Sequence, residues 1–572
     1  MAAIITNKLR IFNAQEFLQS INRSAPIWKT GTSYALGDSV VNNGNLFVCI
    51  TAGTSAGSGS GPDAAAGEIV DNDCRWSHQG LSVYNNLYMG IGKNTPWVND
   101  ANPPTPEDSI GYGYAVKAEH ISMKKVGVND MSLAIPRVNW KSGSIYTMYE
   151  HDVAEEIIPN SYVIAEGVNQ YNVYKCINNA TYTNDSETIV TVTSTEKPTH
   201  TTSALVEQTD GYIWKYMYSI SLADSLKFLT KDYIPVDRIT TDPNNDVANL
   251  TSADVQWDIQ QAAAAVPGEI EHVKILKNET NGVVSGGVGY HPLVNGTDTI
   301  GAATTHTLSG YTQAGPDYTG YHLISYDSTT IEQREITAWS VDPSSGIASI
   351  TTDGTFTITG AGVTYIIAPA LTVTSTGGSG FAAYGQVTNG KISKIVITNK
   401  GSGYTHIDSA IVTTGNVIHS TGGVINVDSC KVKPIISPEN GHGFNAIEEL
   451  GGYYMMIAMK LEYDEQSTRY DTSSTPALVT EPMFPTSGSD SVFRQISIVA
   501  DPLEYGGIIP ATEESMRGPK NLQYNKSVSG VSGTQTTFDV ESGSGKILYT
   551  ENRQPVSRAI DQIEDIKVVF EF

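Results

Sequence analysis

The chain has 572 residues and a formal net charge of −25 at pH 7, from 35 Lys and Arg against 60 Asp and Glu. That acidity excludes a basic nucleic-acid binder, because phosphates are neutralised by Lys and Arg. Charged residues are only 17%, Gly reaches 53 and Tyr at 30 far outnumbers Phe at 12, which reads as a β-rich chain with many tight turns.

In chain order, the first predicted element is a short helix with Asn13 as its cap and Glu16 at the capping-box position. Phe17 and Ile21 then share one face of it. Residues 25–82 read as a separate unit. Val40-Val41 and Leu46-Phe47-Val48-Cys49 flank Asn42-Asn43-Gly44, a hairpin signal because Asn and Gly accept positive φ. Thr51 to Gly67 is rich in Gly, Ser and Ala and reads as a flexible loop. Residues 83–265 mix short strands and turns. In them Tyr212, Trp214, Tyr216 and Tyr218 alternate, predicting one aromatic face of a strand.

Residues 266–430 change character, with fewer charges than the whole chain and a weak repeat. Gly287-Val-Gly-Tyr290, Gly362-Val-Thr-Tyr365 and Gly401-Ser-Gly-Tyr404 each follow an apolar run. The reading is strand, Gly turn, then Tyr opening the next strand. The spacing is irregular, so a β-sandwich or short stacked array fits better than a solenoid. Residues 431–572 return to ordinary composition, and the strand Ile563 to Phe572 is expected to be buried in a sheet.

Candidate chemistry is sparse. Gly90-Ile-Gly92 lacks the third Gly and following helix of a dinucleotide fingerprint and reads as a turn. His442, between Gly441 and Gly443, is a conceivable base, but no Ser or Cys nucleophile motif accompanies it. No His pair has zinc spacing, so no metal or other cofactor is expected. Cys49, Cys74, Cys176 and Cys430 are too few for a disulfide scaffold, and synthesis in a reducing cytoplasm is expected. No run approaches the roughly 18 to 20 apolar residues of a membrane helix, and MAAIITNKLRIF has no signal-peptide core. Trp28, Tyr34 and Trp76 form either a sugar-stacking face or the small core of their unit.

Colinear strings carry a resemblance. They are Thr6-Asn-Lys-Leu-Arg10 with Asn13 and Phe17; Tyr88 to Trp97 with Pro103-Pro-Thr-Pro106; and Ile135-Pro-Arg-Val-Asn-Trp140. Asp210-Gly-Tyr-Ile-Trp-Lys-Tyr216, Phe493-Arg-Gln-Ile-Ser-Ile-Val with Asp501-Pro-Leu-Glu504, and Glu551-Asn-Arg-x-Pro555 with the final Phe-x-Phe complete the set. Together they resemble the homodimeric baseplate wedge subunit of contractile-tailed bacteriophages, the "gene product eight" type.

The resemblance implies a mainly β fold, a layered β-sandwich core with a few helices in long loops. That core spans 1–24, 83–265 and 431–572. It carries two inserted β-rich modules, a small aromatic one at 25–82 and a Gly/Tyr-repeat one at 266–430. The implied role is structural and non-enzymatic: a virion protein of the tail baseplate, assembled in the host cytoplasm. It would form a homodimer, link other wedge proteins and help couple baseplate rearrangement to sheath contraction. Candidate interface anchors are Trp97, Arg137, Trp140, Arg494 and Arg553. Two alternatives stay open: an accessory that binds host-surface glycan through Trp28, Tyr34 and Trp76, and a polysaccharide depolymerase. Most of the negative charge falls outside the two insertions, where it can hold copies apart until specific partners meet.

Overall fold

The computed structural model describes residues 6–22, 28–43, 45–63, 68–81, 86–152, 161–184, 188–236, 268–276, 286–413 (apart from 288, 314 and 328–329), 430–463 (apart from 439–440), 466–471, 477–504, 511, 515–520 and 539–572. The expected boundaries at 24/25, 82/83 and 265/266 lie outside the described residues. The chain is mainly β, built from several sheets, and four α-helices occur among the described residues.

Three sheets share the largest core. One has the strand order Ser515–Arg517, His120–Lys125, Leu87–Gly92, Val492–Ala500, Lys546–Ser557. A second runs Tyr233–Val236, Met131–Pro136, Tyr454–Leu461, Glu564–Glu571. The third runs Tyr162–Glu166, Tyr171–Asn178, Ile213–Ile220, Val206–Glu207. Met89, Ile91, Ile496 and Ile498 from the first meet Leu133, Ile457, Ile566 and Val568 from the second, and Ile164, Val173 and Ile220 from the third. The sequence apportions these strands widely, so every sheet is closed by long-range pairing.

The N-terminal helix starts earlier than its capping signals predict. It spans Asn7–Asn22, so Asn13 and Glu16 are interior and Thr6 accepts the first-turn N–H of Leu9 and Arg10 at its carbonyl. The reason lies in its packing. Ile11, Ala14 and Ile21 are buried in the shared core with Phe17 and Leu18 against it, and that stripe begins upstream of Asn13. Phe17 also meets Phe570 edge-on at 5.9 Å, so the helix closes over the strand Glu564–Glu571. That strand pairs with Tyr454–Leu461 along its whole length, with Ile566 and Val568 buried, as the sequence led one to expect.

Two further groups of strands have cores of their own. Within 28–81, Ser39–Asn42 and Asn45–Thr51 form the expected hairpin, with Asn42 paired to Asn45 and Asn43 at φ +47°. Part of the stretch expected to be a flexible loop is tied down. Asn42 Nδ2 donates to the Pro62 carbonyl at 3.0 Å, Ser55 is buried, and a Cβ at Gly61 would stand 2.6 Å from the Trp28 ring. Between 270 and 436, a six-stranded and a four-stranded antiparallel sheet enclose one core.

The repeat tyrosines do not open strands. Tyr290 and Tyr404 lie outside strands, and Tyr365 sits inside Gly360–Ala368. What they share is burial in this one core. The Tyr404 ring occupies the space a Cβ at Gly378 would need, 2.2 Å away. These glycines make room for rings as well as for turns.

Candidate functional site

Three of the five expected anchors converge on one loop. The strand Leu87–Gly92 runs into residues 93–109, which lead to the helix Ile110–Ala118, capped by Ser109 Oγ accepting the Tyr112 N–H. Arg494, buried on the interior strand Val492–Ala500, grips that loop. Its Nε and Nη2 donate to the two Asp100 carboxylate oxygens at 2.9 and 2.8 Å, and its Nη1 donates to the Asn94 carbonyl at 2.7 Å. The planar guanidinium fits this fork. Hydrogen bonding from Arg494 holds the Asp100 carboxyl below its usual range.

The loop is also fastened to the edge strand Lys546–Ser557. Trp97 Nε1 donates to the Arg553 carbonyl at 3.3 Å, Asn552 Nδ2 to the Pro104 carbonyl at 2.8 Å, and Gln554 Nε2 to the Ala101 carbonyl at 3.0 Å. Arg553 therefore contributes its backbone, while its side chain lies 3.9 Å from Glu551. The anchored segment turns apolar side chains outward: Val98, Ile110 and Tyr114 are exposed, as is Leu548 of the edge strand. The clasp can present a fixed, partly apolar surface.

Arg137 and Trp140 sit elsewhere. Arg137 donates from Nε to Asn139 Oδ1 at 2.8 Å and from Nη1 to the Thr230 carbonyl at 2.7 Å. Trp140 donates to Ser194 Oγ at 3.0 Å and packs against the aromatic core of Tyr146, Tyr212, Trp214 and Tyr216.

The aromatic trio of the small unit faces inward. Trp76 is fully buried and Trp28 nearly so, in a core with Val40, Phe47, Cys49 and Cys74. Both indole N–H groups donate to Asp71 Oδ2. Tyr34 is half-buried and edge-on to Trp76 at 5.0 Å. Of the two readings the sequence left open for these rings, this is the geometry of a core.

Gly90-Ile91-Gly92 is not the turn that its sequence predicts. It lies inside the buried strand Leu87–Gly92. A Cβ at Gly90 would come within 2.8 Å of the His120 ring, whose Nε2 meets Ser497 Oγ at 2.6 Å. The glycine clears space for a cross-strand histidine, and burial lowers that histidine's pKa to about 4.

A buried ionic cluster was not foreseen. His442 lies in a turn as expected but is fully buried, with Nδ1 on Glu449 and Nε2 3.7 Å from Glu271. Lys175 Nζ donates to the Glu449 carbonyl at 2.7 Å and lies 3.7 Å from its carboxylate, which also accepts the Gly443 N–H at 2.8 Å. Burial alone would raise the Glu449 pKa; His442, Lys175 and these hydrogen bonds outweigh it and bring it to about 2. At Glu271 burial outweighs the nearby His442 and Lys215 and pushes the pKa up. The signal was in the sequence: Lys175 and Lys215 each interrupt an otherwise apolar and aromatic strand, which requires a buried partner. The Tyr149 ring packs edge-on against His442 at 4.7 Å, and the cluster ties together elements that are distant in sequence.

Among known families, the one described as Bacteriophage T4, Gp8 (Phage-Gp8) matches residues 480–572. No curated protein matches the chain. The matched segment supplies the interior strand Val492–Ala500 and the edge strands Lys546–Ser557 and Glu564–Glu571 of two sheets, together with Arg494 and Arg553. Over this part, the chain is related to the phage baseplate wedge family that its sequence resembles.

Proposed function

We propose that the chain is a structural virion protein, a baseplate wedge subunit of a contractile phage tail, that acts by assembly and not by catalysis. The observation that carries this reading is the family match over 480–572, because that segment supplies an interior strand of the five-stranded sheet and the Arg494 side of the clasp. The protein forms a homodimer and joins neighbouring wedge proteins in the baseplate, after synthesis in the host cytoplasm. In this reading the core of three sheets is the wedge scaffold, and the units at 25–82 and 266–430 are additions to it.

The clasp gives the reading a physical mechanism. A loop pinned by Arg494 loses little further entropy when a partner covers Val98, Ile110 and Tyr114, so preorganisation favours binding. Rearrangement of the baseplate would be passed on through such rigid contacts. Light scattering on the purified chain at micromolar concentration, with co-purification of the neighbouring baseplate proteins, tests it. A dimer that captures them supports the proposal. A strict monomer that captures none of them contradicts it.

A further inference from the structure

The unit between 270 and 436 is joined to the rest by a ribbon of two antiparallel strands, Ile270–Ile275 and Val432–Ile436, paired from Ile270 with Ile436 to Ile275 with Val432. The ribbon belongs to two cores at once. Ile270, Val273, Ile275 and Ile436 pack inside the unit, and Ile435 packs against the aromatic core of the scaffold. Its root is tightly held. Lys433 Nζ reaches Glu150 at 2.8 Å and Asp152 at 3.0 Å, Lys274 Nζ reaches Asn179 Oδ1 at 3.0 Å, and Glu271 enters the buried cluster around His442.

Beyond the ribbon, whose residues Glu271–Ile275 line the cleft's inner end, the two bodies part. A cleft of about 590 Å³ separates Glu207, Asp210 and Ile213 on the scaffold from Lys394, Ile395 and Ile397 on the unit. Lys394 Nζ and Glu207 Oε2 bridge it at 2.8 Å, with both side chains about half exposed. An exposed ion pair is weak and screened by salt, whereas buried charges are costly to separate. A joint that is locked at one end and wet at the other breaks first at the wet end.

We infer that the 270–436 unit swings as a body about this ribbon, opening and closing the cleft, with Lys394–Glu207 as its latch. Each body keeps its own core throughout, so the motion needs no repacking. Two bodies joined by a narrow ribbon ordinarily move relative to one another unless a large hydrophobic interface holds them. The inference stands apart from the proposed function, since it concerns one chain in isolation.

The test is a spin-label distance measurement on the full chain carrying Ala204→Cys and Ser340→Cys, both exposed positions. The four native cysteines are buried, which directs the labels to the new sites. Two distance populations are expected. The longer one should gain roughly two- to fivefold over the shorter with Glu207→Gln or in 0.5 M salt (about the strength of an exposed ion pair). A disulfide between Glu207→Cys and Lys394→Cys, formed before labelling, should leave only the shorter. A single narrow distance, unchanged by salt and by Glu207→Gln, would overturn the inference.

Discussion

Trp28 and Trp76 donate their indole N–H groups to the same oxygen of Asp71, at 2.8 and 3.0 Å, inside a core they largely build. The other Asp71 oxygen accepts the Ala56 N–H at 3.0 Å. One carboxylate thus satisfies three donors and ties the hairpin to the Gly-rich stretch.

Replacing Asp71 by Ala therefore leaves two buried indole donors unpaired. The expected cost is about 2–4 kcal/mol, read as early loss of tryptophan near-UV signal on heating. Trp28→Ala and Trp76→Ala should likewise unfold this unit. A glycan array in which either variant stays folded but loses sugar binding would instead favour a stacking role for these rings.

Arg494→Lys should free the 93–109 loop without unfolding the sheets. A lysine cannot reproduce the fork to Asp100 together with the bond to the Asn94 carbonyl. Hydrogen exchange should rise across Asn94–Ala101 with only a small loss of global stability, since Asp100 is partly exposed. Unchanged exchange in that segment would show that the clasp does not hold the loop.

Acidification should destabilise the protein in a defined window. Burial lowers His120, His272 and His322 from 6.5 to about 4. The unfolded chain then binds more protons between those values, so stability is full above pH 6.5 and is lost as pH falls toward 4. Urea titrations at pH 7.5, 6.5, 5.5 and 4.5 should show a falling unfolding free energy below 6.5. His120→Asn should flatten part of that fall.

The two carboxylates on His442 should respond with opposite signs. Glu449, held at about 2, contributes stability present above its unfolded value near 4.5 and lost as pH falls through about 2. Glu271 is raised by burial. Its contribution is present below its unfolded pKa and lost as pH rises through the folded one. Glu449→Gln should therefore cost roughly 3 kcal/mol at neutral pH, and Glu271→Gln should be near neutral or stabilising. Equal losses from both would contradict this division of roles.

Element type was largely legible in the sequence, but side-chain destination was not. The alternation Tyr212, Trp214, Tyr216 correctly places three rings in one core, yet Tyr218 goes to the other. A register shift between Val173 and Tyr174 pairs them with Tyr218 and Tyr216, slipping the alternation by one residue. No local pattern announces that bulge. The Gly90-Ile91-Gly92 turn and the Asn13 cap failed for a related reason: His120 and the shared core, both distant in sequence, decided those backbones. The clasp was half visible. Trp97, Arg494 and Arg553 stand out in the sequence and Asn552 falls within the Glu551-Asn-Arg string, but Asp100, which completes the clasp, carries no mark.

The most direct test of the assembly role is a cryo-electron microscopy map of the intact tail containing this chain. The account predicts density for the three-sheet core in the baseplate, in pairs, with the 93–109 loop against a neighbouring subunit. Density for the chain only in tail fibres or sheath, or its absence from the particle, would contradict it.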